Sequence, residues 1–244
     1  MTPSAHDQVA ILAQQREELS LALRRAEQAH CLAIIDHLAA KIRARCSEAV
    51  YVAFDRSGED RAVTVHGVHG VLGEQPSPLG ACPWLWDGTE TGHPLNEIDS
   101  DITLDVEYAL LPPTSPVWAL VHRNTGMDGS WLLELPPVDR AARVAELIRG
   151  HHPAATAVVV DGRAGGGRVV GVIEDQADGD APVPVARPRL SRACDDALTR
   201  LVAQVFLLPS LADRHLMPVP RGFAHPHGSS VSDQVRLMPL PPTA

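Results

Sequence analysis

The chain has 244 residues, 45% of them hydrophobic and only 4% aromatic, which allows one large aliphatic domain or one domain with appendages. Its formal net charge is −9, which argues against a sequence-independent nucleic-acid binder, because such a protein neutralises phosphates with clustered basic residues. Lys41 is the only lysine and falls in a helical stretch, which argues against a P-loop, a kinase lysine or a Schiff-base lysine.

The sequence contains no clear motif for secretion, membrane insertion or metal binding. The first seven residues are polar overall and contain no apolar run, so we expect no secretory signal. No apolar run approaches the roughly 18 residues that span a bilayer, and the four cysteines form no C-x-x-C pair. We therefore predict a cytoplasmic protein with free thiols, no membrane contact, no bound metal and no cofactor.

The first element is a long helix. Residues 4–48 contain neither Gly nor Pro, and Ser4 with Asp7 resembles an N-terminal capping pair. At 1.5 Å per residue such a helix runs roughly 65 Å, longer than an ordinary domain. It is interpreted either as a dimeric coiled coil or as a helix packed across its own domain. Apolar residues recur along one face at Leu12, Leu19, Leu23, Ala26, Cys31, Ile35, Leu38 and Ile42.

Two strand-like runs follow, Ala49–Phe54 and Arg61–His66, separated by turn residues, and they predict a hairpin. The next stretch, 67–92, is rich in Gly and Pro and is predicted to be irregular. It carries Trp84 and Trp86. Two tryptophans in a chain with few aromatics are expected either to cover the open end of a sheet or to contact a ligand or partner.

Alternating apolar and acidic residues over 97–110 predict a half-buried strand. We weigh three interpretations of its acidic side: a solvated face that resists edge-to-edge aggregation, a surface for a basic partner, and a divalent-cation or catalytic carboxylate site. The acidic residues in question are Asp99, Asp101, Asp105 and Glu107, with Glu97 at the start.

The remaining elements are shorter. A second hairpin is predicted from 117–121 and 130–135, a helix over 139–149, and a third hairpin from 157–160 and 169–173. Its Gly-rich loop, Gly162–Gly167, is not a nucleotide loop, because a strand rather than a helix follows it. After an acidic, Pro-rich linker over 174–188, Ser191 caps a last helix that Pro209 stops. No internal repeat is evident.

These elements predict an α+β fold: a long N-terminal helix, a mainly antiparallel sheet, two further helices and a Pro-rich tail. The predicted organisation is a helical segment at 1–48, an α+β domain at 49–208 and a Pro- and His-containing, extended or disordered tail at 209–244.

The leading functional hypothesis is a non-enzymatic interaction or regulatory protein. It would self-associate through the N-terminal helix and present the acidic strand face, with Trp84 and Trp86, to a basic protein partner. Two alternatives stay open at this stage. One is a hydrolase or transferase whose Asp and His residues converge in the fold. The other is a small-molecule sensor in which the Trp84–Trp86 loop closes over a pocket.

Overall fold

The fold is taken from a computed structural model. It describes residues 5–56, 62–70, 84–123, 130–162, 167–174, 184–185, 190–219 and 234–242. Several sequence-based predictions lie outside these residues. They concern Ser4 of the capping pair, Cys82, most of the 174–188 linker and the tail histidines His225 and His227.

The chain divides into two compact units, Met1–Pro136 and Pro137–Ala244. These boundaries differ from the predicted ones at 48 and 208. The first differs because the second half of the N-terminal helix packs into the first unit. The second differs because strands from the C-terminal segment complete the sheet of the second unit.

The first unit begins with one long helix and continues with a sheet. Two 3-10 helices, Pro94–Ile98 and Pro116–Leu120, flank its second α-helix. Its elements are α1 (Ala5–Arg43), β1 (Tyr51–Arg56), β2 (Val63–His69), β3 (Trp84–Trp86), α2 (Asp99–Leu110), β4 (Val121–Arg123) and β5 (Trp131–Glu134).

The sheet of the first unit has the strand order β3-β2-β1-β5-β4, and every described pairing in it is antiparallel. The predicted β1–β2 hairpin is confirmed. The α1 helix packs against α2, and α2 packs against β2. The buried side chains of these helices include Leu32, Ile35 and Leu38 from α1 and Ile102 and Val106 from α2.

The second unit has the elements α3 (Arg140–Arg149), β6 (Ala155–Asp161), β7 (Arg168–Glu174), β8 (Pro184–Val185), α4 (Arg192–Leu207), α5 (Pro209–His215), β9 (Met217–Pro218) and β10 (Val235–Pro239). Its strand order is β8-β7-β6-β10-β9, again antiparallel throughout the described pairs. The α+β class predicted from the sequence is therefore confirmed.

Capping in the second unit follows the sequence. The Asp139 side chain accepts a hydrogen bond from the Ala142 amide, and Ser191 accepts one from the Cys194 amide. These bonds satisfy donors that the first turn of a helix leaves free. The α3 and α4 helices then bury Val144, Ile148 and Val202 in one cluster with residues of β6 and β7.

The two units share one topology. Each runs helix, three strands, helical segment, two strands, and in each sheet the first strand lies at the centre with the fifth beside it. The expectation of no internal repeat is thus wrong at the level of the fold. Sequence similarity between the halves is confined to a few positions, which explains why the repeat is hard to see in the sequence.

An arginine at the end of the first helix performs the same task in each unit. Arg43 donates from Nε to the carbonyl oxygen of Ala49 at 3.3 Å, six residues on, and from Nη1 to that of Pro136 at 2.6 Å. Arg149 donates from Nε to the carbonyl of Ala155 at 3.2 Å, also six residues on, and from Nη1 to that of Pro241 at 2.6 Å. Each guanidinium ties the start of the unit's central strand to the end of its last strand.

The central hairpins share a further irregularity. The ladder shifts after Ala53, which faces Gly67, and after Val159, which faces Gly171. Bulges at matching places give both hairpins the same local bend. The two arginines and the two bulges therefore have a structural role, because both units use them to form the same topology.

The predicted strand over 97–110 is wrong. Residues Pro94–Ile98 form a 3-10 helix whose start His93 caps, and Asp99–Leu110 form α2. The apolar positions Ile102, Val106 and Ala109 also satisfy a helical period of three and four. Asp99 and Asp101 lie in the first turn, where the helix dipole favours negative charge.

Part of the predicted extended or disordered tail is folded. After α4, Pro209 stands at the start of α5 rather than simply ending the helical region, as proline at a first helical position permits. The β10 strand pairs with the central β6. Pro239 is tolerated there because β9 pairs only with Arg236 and Leu237.

Candidate functional site

The α1 helix has two halves that differ in burial. From Cys31 to Ile42 one face is buried in the first unit. From Gln8 to Glu27 every side chain is exposed. The boundary is marked by Gln28, whose Nε2 donates to the Thr114 carbonyl at 3.5 Å.

The exposed half carries large apolar side chains on one face, which we name the stripe: Val9, Leu12, Leu19 and Leu23. Their exposed fractions are 67%, 62%, 72% and 61%. The steps between them are three, seven and four residues, which place them on one side of a helix. Ile11 and Leu21 lie off the stripe and are 49% and 44% exposed.

Local interactions keep this half helical without tertiary contacts. The Gln14 amide donates to the Glu18 carboxylate at 2.9 Å, one turn away, a spacing that supports isolated helices. The composition, dominated by Ala, Leu, Gln, Glu and Arg, favours a helix. The first half of α1 is therefore an ordered helix that presents an apolar face to solvent.

Leu12, Leu19 and Leu23 of this stripe are among the residues predicted from the sequence, whereas Val9 is not. The three-residue step from Leu12 back to Val9 continues the same pattern and is the signal that identifies it.

The predicted acidic residues lie on α2 and largely find partners in their own unit. Lys41 Nζ lies 3.1 Å from both Asp101 Oδ2 and Asp105 Oδ2. Asp99 is exposed and Glu107 is partly buried. Since a cation already bridges two of these carboxylates, they do not form a uniformly negative face as the strand interpretation predicts.

A second basic residue, Arg45, follows the end of α1 and lies near the acidic residues. Its Nη2 is 3.9 Å from Glu97 Oε2. Burial alone lowers the pKa of Lys41, but the hydrogen bonds with Asp105 and Asp101 outweigh it, and the pKa is raised above 10.5. Lys41 therefore remains charged at neutral pH and links α1 to α2.

The two candidate tryptophans have different surroundings. Trp86 is 1% exposed and donates from Nε1 to Asn96 Oδ1 at 2.7 Å. Trp84 is 40% exposed and lies on His69, with ring centroids 3.8 Å apart. Gly67 admits the Trp84 ring, since a Cβ there would lie 2.7 Å from it. Trp86 is a core residue, and of the pair only Trp84 reaches the surface.

Three of the described histidines each lie beside one carboxylate. His66 lies 2.9 Å from Asp55. His122 lies 3.2 Å from Glu134, and His152 lies 2.9 Å from Glu174. Within the described part of the chain, no three His, Cys, Asp or Glu side chains are placed to hold a metal ion.

Of the described cysteines, Cys31, Cys46 and Cys194 are free thiols. Burial raises the pKa of Cys46 and of Cys194, each with help from a neighbouring carboxylate. A raised pKa lowers the thiolate fraction at neutral pH and with it the reactivity of these thiols.

Comparison with protein-family models, with curated proteins and with solved structures gives no match for this chain. None of the helices in the described ranges is both long enough and apolar enough to cross a bilayer. The function is therefore inferred from the surfaces that the structure presents.

Proposed function

We propose that this chain is a non-enzymatic interaction protein that self-associates through the first half of α1. The observation that carries the proposal is the stripe of four large apolar side chains, each 61–72% exposed. A row of exposed apolar side chains along one face of an ordered helix is typical of a protein interface, whereas single exposed apolar residues are common and need no explanation.

Comparison of the two units supports a role beyond folding. The equivalent helix of the second unit, α3, has only 10 residues and still ends in the same arginine arrangement. The extra length of α1, which has 39 residues, is therefore not needed to build this topology. A segment that one unit has and its counterpart lacks is a natural candidate for function.

The alternative functions have less support. A hydrolase or transferase requires carboxylates and histidines that converge, but Asp101 and Asp105 are bound to Lys41, and His66, His122 and His152 each pair with one carboxylate. A sensor with a Trp84–Trp86 lid is disfavoured because Trp86 is hydrogen-bonded inside the core.

The test is the mass of the full chain by light scattering between 1 and 50 µM, values on the order of common dissociation constants. We expect at least twice the 26.2 kDa chain mass at the upper end. Deletion of residues 1–27 should give a monomer with an unchanged circular dichroism signal per remaining helical residue. A monomeric full chain over the whole range would refute the proposal.

We retain the hypothesis of a basic partner for a second surface, the outer face of α2. Leu104, Tyr108 and Leu111 are exposed there, and the half-exposed Asp101 lies three residues before Leu104 on the same side of the helix. A partner with apolar and basic side chains would match this surface. Such a complex should weaken with added salt, and Leu104→Ala with Tyr108→Ala should abolish it without changing self-association.

A further inference from the structure

We infer that the exposed half of α1 pairs with the same segment of a second copy in antiparallel orientation, centred on Leu21. The inference rests on the proposed function and adds the orientation and register of the pair. In this arrangement Leu19 of each copy faces Leu23 of the other. Arg16 faces Ala26, and Leu12 faces His30.

The spacing of residues along the helix is that of a coiled-coil seam. Extending the stripe through every residue on its face produces alternating steps of three and four, as in the seam of a two-helix coiled coil. All of these residues are exposed. The seam residues are Val9, Leu12, Arg16, Leu19, Leu23, Ala26 and His30.

Arg16, the arginine within the seam, favours the antiparallel orientation. A parallel, in-register pair would place Arg16 against Arg16 of the second copy, and His30 against His30. Two facing guanidinium groups in a desolvated seam have no compensating charge. The antiparallel pair instead places Arg16 against the small Ala26, with Glu27 beside it to receive the charge.

The charges that border the seam select the register. Arg16 lies in the seam, and Glu27 is an acid at a position beside it. Centring on Leu21 brings each Arg16 within one residue, along the axis, of Glu27 of the second copy. A shift of one heptad places Arg16 level with Leu19 or with Ala33 instead and separates it from Glu27. The central register makes the contact between opposite charges twice by symmetry.

The length of the free segment agrees with this register. The paired region runs from Leu12 to His30, about 27 Å at 1.5 Å per residue. His30 is exposed, and the next residues, Cys31 and Leu32, are buried in the first unit. The pair therefore uses the free part of the helix up to the point at which packing on its own unit begins.

The orientation can be tested by disulfide formation in the full chain. The background carries Cys31→Ala, Cys46→Ser, Cys82→Ser and Cys194→Ser, and light scattering first establishes its mass. Arg16→Cys and Ala26→Cys are then made separately in this background. Each is oxidised with oxidised glutathione, alone and after the two proteins have been mixed and allowed to exchange.

We expect a covalent dimer from the mixture only. In an antiparallel pair, two copies of position 16 lie ten residues apart along the axis, about 15 Å, too far for a disulfide. Covalent dimers from each variant alone would show a parallel pair and overturn the inference, while leaving self-association intact. A dimer by mass with no covalent product in any sample would also overturn it. A monomer by mass in the native-cysteine chain would overturn the proposed function itself.

Charge reversal tests the register independently. Glu27→Arg should raise the dissociation constant at least tenfold at low salt, because it places a second cation beside Arg16 of the other copy at both ends of the pair. Adding Arg16→Glu to that variant should restore affinity, because the opposite charges are then exchanged. Equal dissociation constants for all three proteins would refute the register.

Discussion

At the scale of single residues, Lys41 makes the most direct electrostatic link between α1 and α2. Its Nζ is hydrogen-bonded to Asp101 and Asp105, and Asp105 is the less exposed of the two acids. Replacing Asp105 with Asn should lower the free energy of unfolding by about 1 kcal/mol, as for a partly exposed charged hydrogen bond. Urea denaturation gives this value directly.

Asp99→Asn is the matched control, because Asp99 lies on the same helix and is exposed. It should change the free energy of unfolding by no more than about 0.5 kcal/mol. Equal losses at the two positions would contradict the role assigned to Lys41.

The same contact predicts a pH dependence at alkaline pH. The pKa of Lys41 is raised above 10.5 in the folded chain, so the folded state holds this proton more tightly than the unfolded state. Its contribution to stability is present in full below pH 10.5 and is lost as the pH rises through the raised value. The stability difference between wild type and Lys41→Gln should therefore stay constant from pH 6 to about pH 9 and shrink above the unperturbed pKa. A decrease near neutral pH would be inconsistent with this.

Gly67 is a position where a side chain does not fit. A Cβ there would lie 2.1 Å from the Trp86 carbonyl oxygen and 2.7 Å from the Trp84 ring. Gly67→Ala should therefore cost about 1–3 kcal/mol of stability, as overpacking does, and shift the tryptophan fluorescence.

Gly92→Ala provides the comparison for Gly67. Gly92 has φ +86° with open space around its Cβ position, so only backbone strain opposes the change, at about 1 kcal/mol. Trp84 and Trp86 should keep their wild-type emission in this variant. A larger loss at Gly92 than at Gly67 would show that the tryptophan packing is not as described.

At the scale of secondary-structure elements, the arginines at the ends of α1 and α3 give a paired prediction. Arg43→Gln and Arg149→Gln should each lower stability by about 1.5–3 kcal/mol, the range for hydrogen bonds from charged groups. Hydrogen exchange should rise in β1 and β5 for the first variant and in β6 and β10 for the second. Arg45→Gln removes the 3.9 Å contact with Glu97 and an exposed hydrogen bond to the Lys41 carbonyl oxygen one turn earlier, neither of which reaches a strand. It should leave exchange in these strands unchanged.

Elements with strong local signals could be predicted from the sequence. The β1–β2 and β6–β7 hairpins, and α3 and α4 with their Asp139 and Ser191 caps, follow from alternation and capping chemistry. The α2 helix could not be assigned from apolar spacing alone. Apolar residues stand at every second position from Ile102 to Leu110, as in a strand, and the same segment has Ile102, Val106 and Ala109 at helical spacing. The acids of its first turn were the additional evidence that favoured a helix.

At the scale of the whole molecule, the repeated topology was beyond local pattern reading. Its sequence traces are Ile42-Arg43 and Ile148-Arg149, and Leu135-Pro136 and Leu240-Pro241. Their meaning appears only when the fold brings each arginine to its carbonyl partners. The β10 strand was missed for the same reason, since its stability comes from β6, which is distant in sequence.

The candidate site was partly predictable. The apolar spacing at Leu12, Leu19 and Leu23 indicates a helix face with a partner, but the sequence cannot show where burial in the chain's own unit ends. The structure places that boundary between Glu27 and Cys31. The acidic site was predicted less well, because Lys41, sixty residues away from Asp101, neutralises part of it.

The central claim is that α1 self-associates through the stripe, and the most direct test compares two leucines two residues apart. Light scattering at tens of micromolar should show wild type and Leu21→Glu at a multiple of 26.2 kDa, since Leu21 lies off the stripe. Leu19→Glu places a charge in the apolar seam and should give a monomer with unchanged secondary structure. A Leu19→Glu protein with the same mass as wild type and Leu21→Glu would contradict the account.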